Sequence, residues 1–507
     1  MYRPIHLFSL GIFLLLAPTI TSRSQTSDKF YENAQSSFAD FKELLSLPND
    51  AHFPADIEKN VQWCEKHFAQ RAFQLTRLKT PTVPLLLAEK KSRKKKAKTV
   101  LVYLQIDGQP VDTSYWHQKN PYEAALKQLD QESEWEAIDW KLLSMDTIDP
   151  DWRIFARSAS DAKGPVMMFL TAMDMMMEEG KEPNYNLKVI MDFEEELGSP
   201  NLPEAVTQYS EQLAADMLII FDGPLHITNQ PTLTFGARGI STITLTVFGA
   251  LAPQHSGHYG NYLPNPAMRL SQLLASMKDD FGRVSIPGFY YGIKISEPVK
   301  QVLRAVPDNE VFINKKLGIA LPDKVAANYQ ESLQYPSLNV RGLSSGWVGE
   351  ASRTIVPAVA TAEIDVRLVI ESNPERLLRL VRNHILAQGY HILDRPPTTE
   401  ERATYDRICQ LNSETSYLAF RTPFDSEVGL WLDQALTKVH GAPPIKQRTS
   451  GGSIPISPFV NELGIPAVTV PTVNRDNNQH SPNENIRIGN YIEGIKTIYG
   501  ILSQQLK

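Results

Sequence analysis

Two cysteines, Cys64 and Cys409, are all that the 507 residues contain. That excludes a disulfide framework and any cysteine-rich metal site, and the sequence leaves open whether the two pair. Charge of one sign is scarce as well: 51 Lys and Arg stand against 57 Asp and Glu, a formal −6, so nothing draws the chain to nucleic acid. The exception is the run 90–98, KKSRKKKAK. It has no interleaved aromatics and directly precedes an apolar strand pattern, so it reads as an exposed connection.

Long apolar runs are also missing. The one block, LFSLGIFLLLAPTI, lies within Met1–Gln25, behind a single Arg and ahead of small polar residues. It reads as a secretory signal peptide, with an apolar core short for a membrane span; an uncleaved anchor is the alternative. The expectation is a secreted or periplasmic protein with no stable membrane span beyond this segment. No Cys follows the block, so no bacterial-type lipid anchor is indicated.

What is present is enough chain for two or three domains at ~150 residues each. Helical spacing of Phe38, Phe41, Leu44 and Leu45, and then of NVQWCEKHFAQRAF, predicts two helices between 27 and 78. TVLVYL (99–104) reads as a strand, and VMMFLTAMDMMMEEG as a helix whose methionines fill a core. NLKVIMDFEEELGS (186–199) is a strand that breaks into three glutamates and a glycine; a helix and the strand MLIIFDGP, ending in Asp222, follow. Strand, helix, strand with polar residues at strand ends predicts an α/β fold, a mostly parallel sheet flanked by helices. From 232 to 398 longer alternating strands and two helices suit an inserted α+β domain, and the α/β pattern resumes over 399–507. The first part of the α/β domain is then 27–231.

Three adjacent glutamates alone describe a solvated turn. Two of them packed closely would need a cation to stay charged, and in open α/β sheets the strand's carboxyl end is where sites are built. Seven motifs stand in order with these glutamates: LQIDGQPVDTSYWHQKNPYE, SASDAKGP, FEEELGSPNL, PTLTFGARGI, HSGHYGN, GGSIPI and QHSPNE. In this order they resemble the dinuclear zinc metallopeptidase family of carnosinase, cytosolic non-specific dipeptidase, aminoacylase and glutamate carboxypeptidase, with the dipeptidase branch nearest. The resemblance spans nearly the whole chain after residue 25.

The resemblance implies a catalytic domain that binds two metal ions bridged by Asp161. Glu196 and His480 complete the ligands of one ion, and Asp222 is a ligand of the other. Zinc is implied, and manganese or cobalt suits the same donors. Glu195 is implied as the general base that takes a proton from metal-activated water, so that an amide bond in a dipeptide or related N-acyl amino acid is hydrolysed. His255 is implied to reach the neighbouring subunit's site from a lid and dimerisation domain, hence a homodimer. Arg367 is implied to hold the substrate carboxylate, with Thr354 and Ser453 as smaller substrate contacts. His258 is a bystander.

Three positions depart from the family pattern. Gln105 stands where relatives have a ligand His, which leaves Asp107, the acid that orients that His, with nothing obvious to orient. Ala162 follows the bridging acid in place of Asp or Asn, and Ser450 precedes the glycine pair where many dipeptidases have Glu. Gln105 therefore sustains a second reading, a single-metal or non-catalytic relative that binds peptides or a partner. If another group restores the lost ligand, His117 in the following loop is the candidate.

Overall fold

The computed structural model describes residues 29–145 and 148–507. The Met1–Gln25 segment, read above as a signal peptide, lies outside the described residues. Among those described, no helix is long and apolar enough to cross a membrane.

An eight-stranded sheet organises the larger unit. Its order is Gln74–Leu78, Leu85–Lys90, Asn186–Asp192, Thr99–Gln105, Met217–Ile220, Ala467–Thr469, Thr232–Thr234, Ile445–Gln447. The four central strands are mutually parallel, and antiparallel pairings flank them. Those central strands are apolar on both faces because helices cover both sides, as parallel sheets require. The run 90–98 forms the exposed connection between the second and fourth of these strands.

The first two helices, Lys29–Leu45 and Pro54–Gln70, form where the apolar spacing places them. Lys163–Glu178 carries the methionine cluster, with Met167, Met168, Met173, Met175 and Met176 buried. It packs against the C-terminal helix Ile488–Ser503, so closely that a Cβ on Gly494 would fall 2.3 Å from the Met168 sulfur. Phe41 stacks on Tyr491 of the same helix at 5.1 Å. The stretch EAVTQYSEQLAA forms two short helices, Leu202–Gln208 and Ser210–Leu213, rather than one.

The inserted unit is a five-stranded sheet in the order Ser337–Ser344, Val359–Leu368, Gly239–Phe248, Ile408–Tyr417, His391–Leu393. Strict alternation along Gly239–Phe248 puts Ile243, Leu245 and Val247 on one buried face. Leu270, Leu273, Leu377 and Val381 of the helices Pro266–Ala275 and Pro374–Ala387 complete that core.

Two strands depart from the 232–398 span expected for this unit, one inside the span that belongs to the large sheet and one beyond it that belongs to the small one. Thr232–Thr234 pairs in the large sheet, and Ile408–Tyr417 pairs with Gly239–Phe248 in the small one. The chain crosses between units at Gly236–Ala237 and Phe420–Arg421, which pair antiparallel. Alternation along TLTFGARGISTITLTVFG runs through the crossing without a break, because strand pattern is indifferent to which sheet supplies the partner.

A further small sheet joins Asn485–Arg487, Arg153–Phe155, Ala125–Leu129 and Trp135–Ala137. It ties the segment before Asp161 to the segment after His480. Cys64 and Cys409 are both buried and unpaired, one in each unit.

Candidate metal centre

Register brings the central strand ends together: Gln105 is level with Asp192, and Tyr103 with both Ile190 and Ile220. Past these ends lie Asp107, Glu194–Glu196 and Asp222. The glutamates form a short 3-10 turn, Glu195–Leu197, closed by Gly198 at φ +85. Such backbone geometry favours glycine.

Asp107 shapes this turn. Fully buried, it accepts the backbone N–H of Glu195 on one oxygen at 3.0 Å and that of Glu196 on the other at 2.9 Å. Asp107 thus has a partner that the sequence reading did not supply: it orients the backbone of the two glutamates rather than an imidazole. Asp192, equally buried, accepts from the hydroxyls of Tyr103 and Ser199 at 2.9 and 2.6 Å. Glu194 turns away, taking hydrogen bonds from Thr82 and Asn201. Glu195 and Glu196 remain to face the cleft.

Asp161, Glu196 and His480 converge, each offering a ligand atom within 4.8 Å of the others. The His480 Nε2 lies 3.0 Å from Asp161 Oδ2 and 3.4 Å from Glu196 Oε2. The Gln105 side-chain amide donates to Asp161 Oδ1 at 2.5 Å, Gln479 donates to Asp161 Oδ2 at 3.3 Å, and Gln109 donates to Glu196 at 2.7 Å. The Gln105 Oε1 is buried with no hydrogen-bond partner. Asp222 stands outside the tight trio, close enough for its charge to bear on Asp161 and Glu195. The His117 ring does not join the described cluster; only its backbone N–H bonds, to Asn483.

Sequence reading missed Glu484, although its motif QHSPNE was in view. This fully buried carboxylate accepts the backbone N–H groups of Ser158, Ser160 and Asp161 at 2.9, 3.0 and 2.9 Å, and pairs with Arg157 at 2.8 Å. It therefore fixes the Asp161 loop to the loop that carries His480. An acid four residues after the ligand His was the available signal. Tyr417 was missed for another reason, since it sits on a strand of the inserted sheet. Its hydroxyl covers Gly198, where a Cβ would fall 2.2 Å from it.

Burial and mutual repulsion dominate the electrostatics. Burial first, then the Asp161 charge, pushes Glu196 up to about 8 and Asp222 up to about 7. Glu195 is held well above the usual range by burial and by the carboxylates of Asp222, Glu196, Asp107 and Asp161. The hydrogen bond to Asp161 raises His480 to about 9. Four carboxyls so close in a buried cleft cannot all ionise unless a cation lies among them. Together with the unpartnered Gln105 oxygen and a carboxylate–imidazole donor set, this fits a divalent ion.

On the substrate side Arg367 donates to the Ser453 hydroxyl at 2.9 Å and to Asp365 at 3.3 Å, so the structure unites these two expected contacts across the two units. Thr354 and His255 meet each other through the pairing of His255 with Ile355 and the Ser256 N–H donating to the Thr354 carbonyl at 3.0 Å. Exposed on the inserted unit, His255 accepts from the Gly257 N–H at 3.0 Å and lies 4.9 Å from the His258 ring. Among the described residues of this single chain, neither His255 nor Thr354 contacts the carboxylate cluster.

The model of peptidase family M20/M25/M40 matches residues 128–504. The Cys-Gly metallodipeptidase of Candida albicans is 27% identical over 355 residues, 69% of this chain and 71% of that protein. The Beta-Ala-His dipeptidase of Homo sapiens is 26% identical over 424 residues, 82% of this chain and 76% of that one. Among solved structures, an M20 family metallo-carboxypeptidase, Sso-CP2 from Sulfolobus solfataricus, superposes with a TM-score of 0.74 at 27% identity, covering 92% of this chain and 98% of its own. Human carnosine dipeptidase 1 shares the fold, with a TM-score of 0.72 over 94% of this chain and 98% of that one. With strand ends, acid cluster and family model in agreement, the chain belongs to peptidase family M20/M25/M40 and is a metallopeptidase of its dipeptidase branch.

Proposed function

We propose that this protein hydrolyses an amide bond in dipeptides or related N-acyl amino acids, with Glu195 as general base and Arg367 with Ser453 holding the substrate carboxylate. The carrying observation is the trio Asp161, Glu196 and His480 within 4.8 Å, with Glu195 fixed beside it by Asp107. Asp161, Glu196 and His480 would hold one divalent ion, and Asp222 with Asp161 and the Gln105 oxygen a second, weaker one. Zinc suits these donors best, with manganese or cobalt as substitutes. A bound ion supplies Lewis-acid polarisation of the scissile carbonyl and acidifies water.

The chain's own groups do the rest. Glu195, held above the usual carboxylate range by burial and then by its acidic neighbours, takes the proton of the attacking water and returns it to the leaving amine. Arg367 offers a planar fork to the terminal carboxylate, and the Ser453 hydroxyl lies beside it. His255 and Thr354 do not reach this chain's cleft, which supports a homodimer in which they complete the neighbouring site. Export belongs to the same reading and rests on the Met1–Gln25 block alone.

Turnover of dipeptides and N-acyl amino acids, lost with chelator and restored by zinc or manganese, is the direct test. Metal-independent turnover, or none with any compound, would sink the proposal. Sedimentation of a fully active monomer would remove the role of His255. The Gln105 side chain favours a second reading, activity with a single ion, since the cluster around Glu195 is complete without Asp222.

A further inference from the structure

Beyond Asp222 the cleft opens into a cavity of about 450 Å³, a volume within the range of small-molecule sites. The strand end Asp222–Ile227 and the glycine pair Gly451–Gly452 form one side. The other is the helix Glu310–Leu317 and the turn around Gln330 in the inserted unit. Leu225, Ile313, Leu317, Leu333 and Ile454 supply apolar wall. The cavity lies on the Asp222 side of the cluster, and Arg367 and Ser453 are not among the groups that line it. A substrate whose carboxylate is held by Arg367, with its scissile carbonyl at the Asp161–Asp222 cluster, would extend its acyl half into this cavity.

The charges lining this cavity do not suit an ammonium. Its carboxylates are Asp222, committed to the metal cluster, and Asp308. Both Asp308 oxygens are taken, one 3.0 Å from His226 Nε2 and the other accepting from Gln330 at 2.8 Å. Ser450 brings a hydroxyl and no charge. Against these stand Lys316 and Arg475, both exposed, and neither side chain has an ion pair or hydrogen bond among the described residues. A free α-ammonium entering here meets two cations and no uncommitted acid, whereas a carboxylate finds two charge-assisted donors.

We propose that the cavity selects N-acyl amino acids whose acyl arm ends in a carboxylate, such as monoamides of a dicarboxylic acid, over dipeptides with a free amino terminus. This rests on the hydrolase reading above. Water adds across the amide: its oxygen joins the acyl carbon, the C–N bond breaks, and the amine leaves with the proton carried by Glu195. The products are a dicarboxylate and a free amino acid.

The test compares N-succinyl-leucine, N-acetyl-leucine and alanyl-leucine, first by turnover of the zinc-loaded full chain and then by calorimetric binding to Glu195→Gln. The succinyl compound should bind at least about tenfold more tightly than the other two, the worth of one charge-assisted hydrogen bond. In Lys316→Ala or Arg475→Ala the ratio of succinyl to acetyl affinity should fall about tenfold, and Lys316→Glu should move the preference towards alanyl-leucine. Both side chains are exposed, so folding is not at stake. Equal affinities, or a ratio indifferent to both substitutions, would overturn the assignment. Best turnover of alanyl-leucine would overturn it while leaving the hydrolase reading intact. Preferential succinyl binding that these substitutions abolish, with no compound cleaved, would support the cavity's selectivity and overturn the hydrolytic reading instead.

Discussion

Gln105 donates its amide hydrogen to Asp161 at 2.5 Å and leaves its own oxygen buried without a donor. An amide oxygen is a weaker metal ligand than imidazole. The ion shared by Asp161 and Asp222 should therefore bind more weakly than the one at Asp161, Glu196 and His480, by more than the ~10–100-fold that loss of a supporting partner costs. Calorimetric titration should resolve two unequal sites, and Gln105→His should tighten the weaker one. Two equally tight sites in the unmodified protein would contradict this.

Glu195→Gln should lower kcat by ~10²–10⁴-fold, the usual worth of a positioned base. Metal content should be unchanged, because the ligand in this turn is Glu196. Loss of metal with loss of turnover would exchange the two roles.

Glu484→Ala removes the acceptor of three backbone N–H groups and strands Arg157, whose side chain is buried. Breaking a buried pair by deleting one partner costs ~3–5 kcal/mol. Thermal melting should show a large fall in stability, and the affinity of the Asp161–His480 ion should fall with it. An unchanged melting curve would refute the clasp between the two loops.

Gly198→Ala places a methyl 2.2 Å from the Tyr417 hydroxyl at a backbone φ of +85. Left-handed geometry alone costs a non-glycine residue ~1–2 kcal/mol. Chemical denaturation should show more than that in the single variant, and Tyr417→Phe in the same chain should recover the excess. Simple additivity of the two substitutions would mean the hydroxyl is not the obstacle.

Four groups of the cluster are raised: Glu196 to about 8, Asp222 to about 7, His480 to about 9, and Glu195 well above the usual carboxylate range. The folded chain then binds more protons than the unfolded chain from about pH 4 to about pH 9, so stability falls as pH rises through that window. The acids are destabilised as their unfolded counterparts ionise, and His480 loses its stabilising bond to Asp161 above its folded value. Melting temperatures in chelator should decline from pH 5 to pH 9, and added zinc should flatten the decline. A rise over the same range would contradict the assignment.

Two of the four central strands were legible because each is an apolar run that stops at acids: MLIIF before Asp222, and NLKVIM before Asp192 and the glutamates. Asp161, Glu196 and His480 were legible only as members of ordered motifs, since no spacing relates three residues so far apart in the chain. The function of Asp107 was not legible, because its partners are backbone amides and side-chain pattern carries no record of them. Nor was the crossing between the units, where Thr232–Thr234 and Gly239–Phe248 alternate alike but find partners in different sheets.

One consequence concerns the order of assembly. Met217–Ile220 and Ala467–Thr469 lie side by side in the large sheet, yet the whole inserted unit stands between them in the chain. During synthesis the strand leading to Asp222 emerges well before its neighbour exists, and it waits as an open apolar edge while the inserted unit, whose own central strand Gly239–Phe248 needs partners more than 100 residues downstream, is completed. His480 arrives later still. The chain thus keeps its catalytic cleft unfinished until its last tenth is made, so nascent or truncated forms cannot cut peptides, and the exposed strand edge is where such forms will aggregate or engage chaperones.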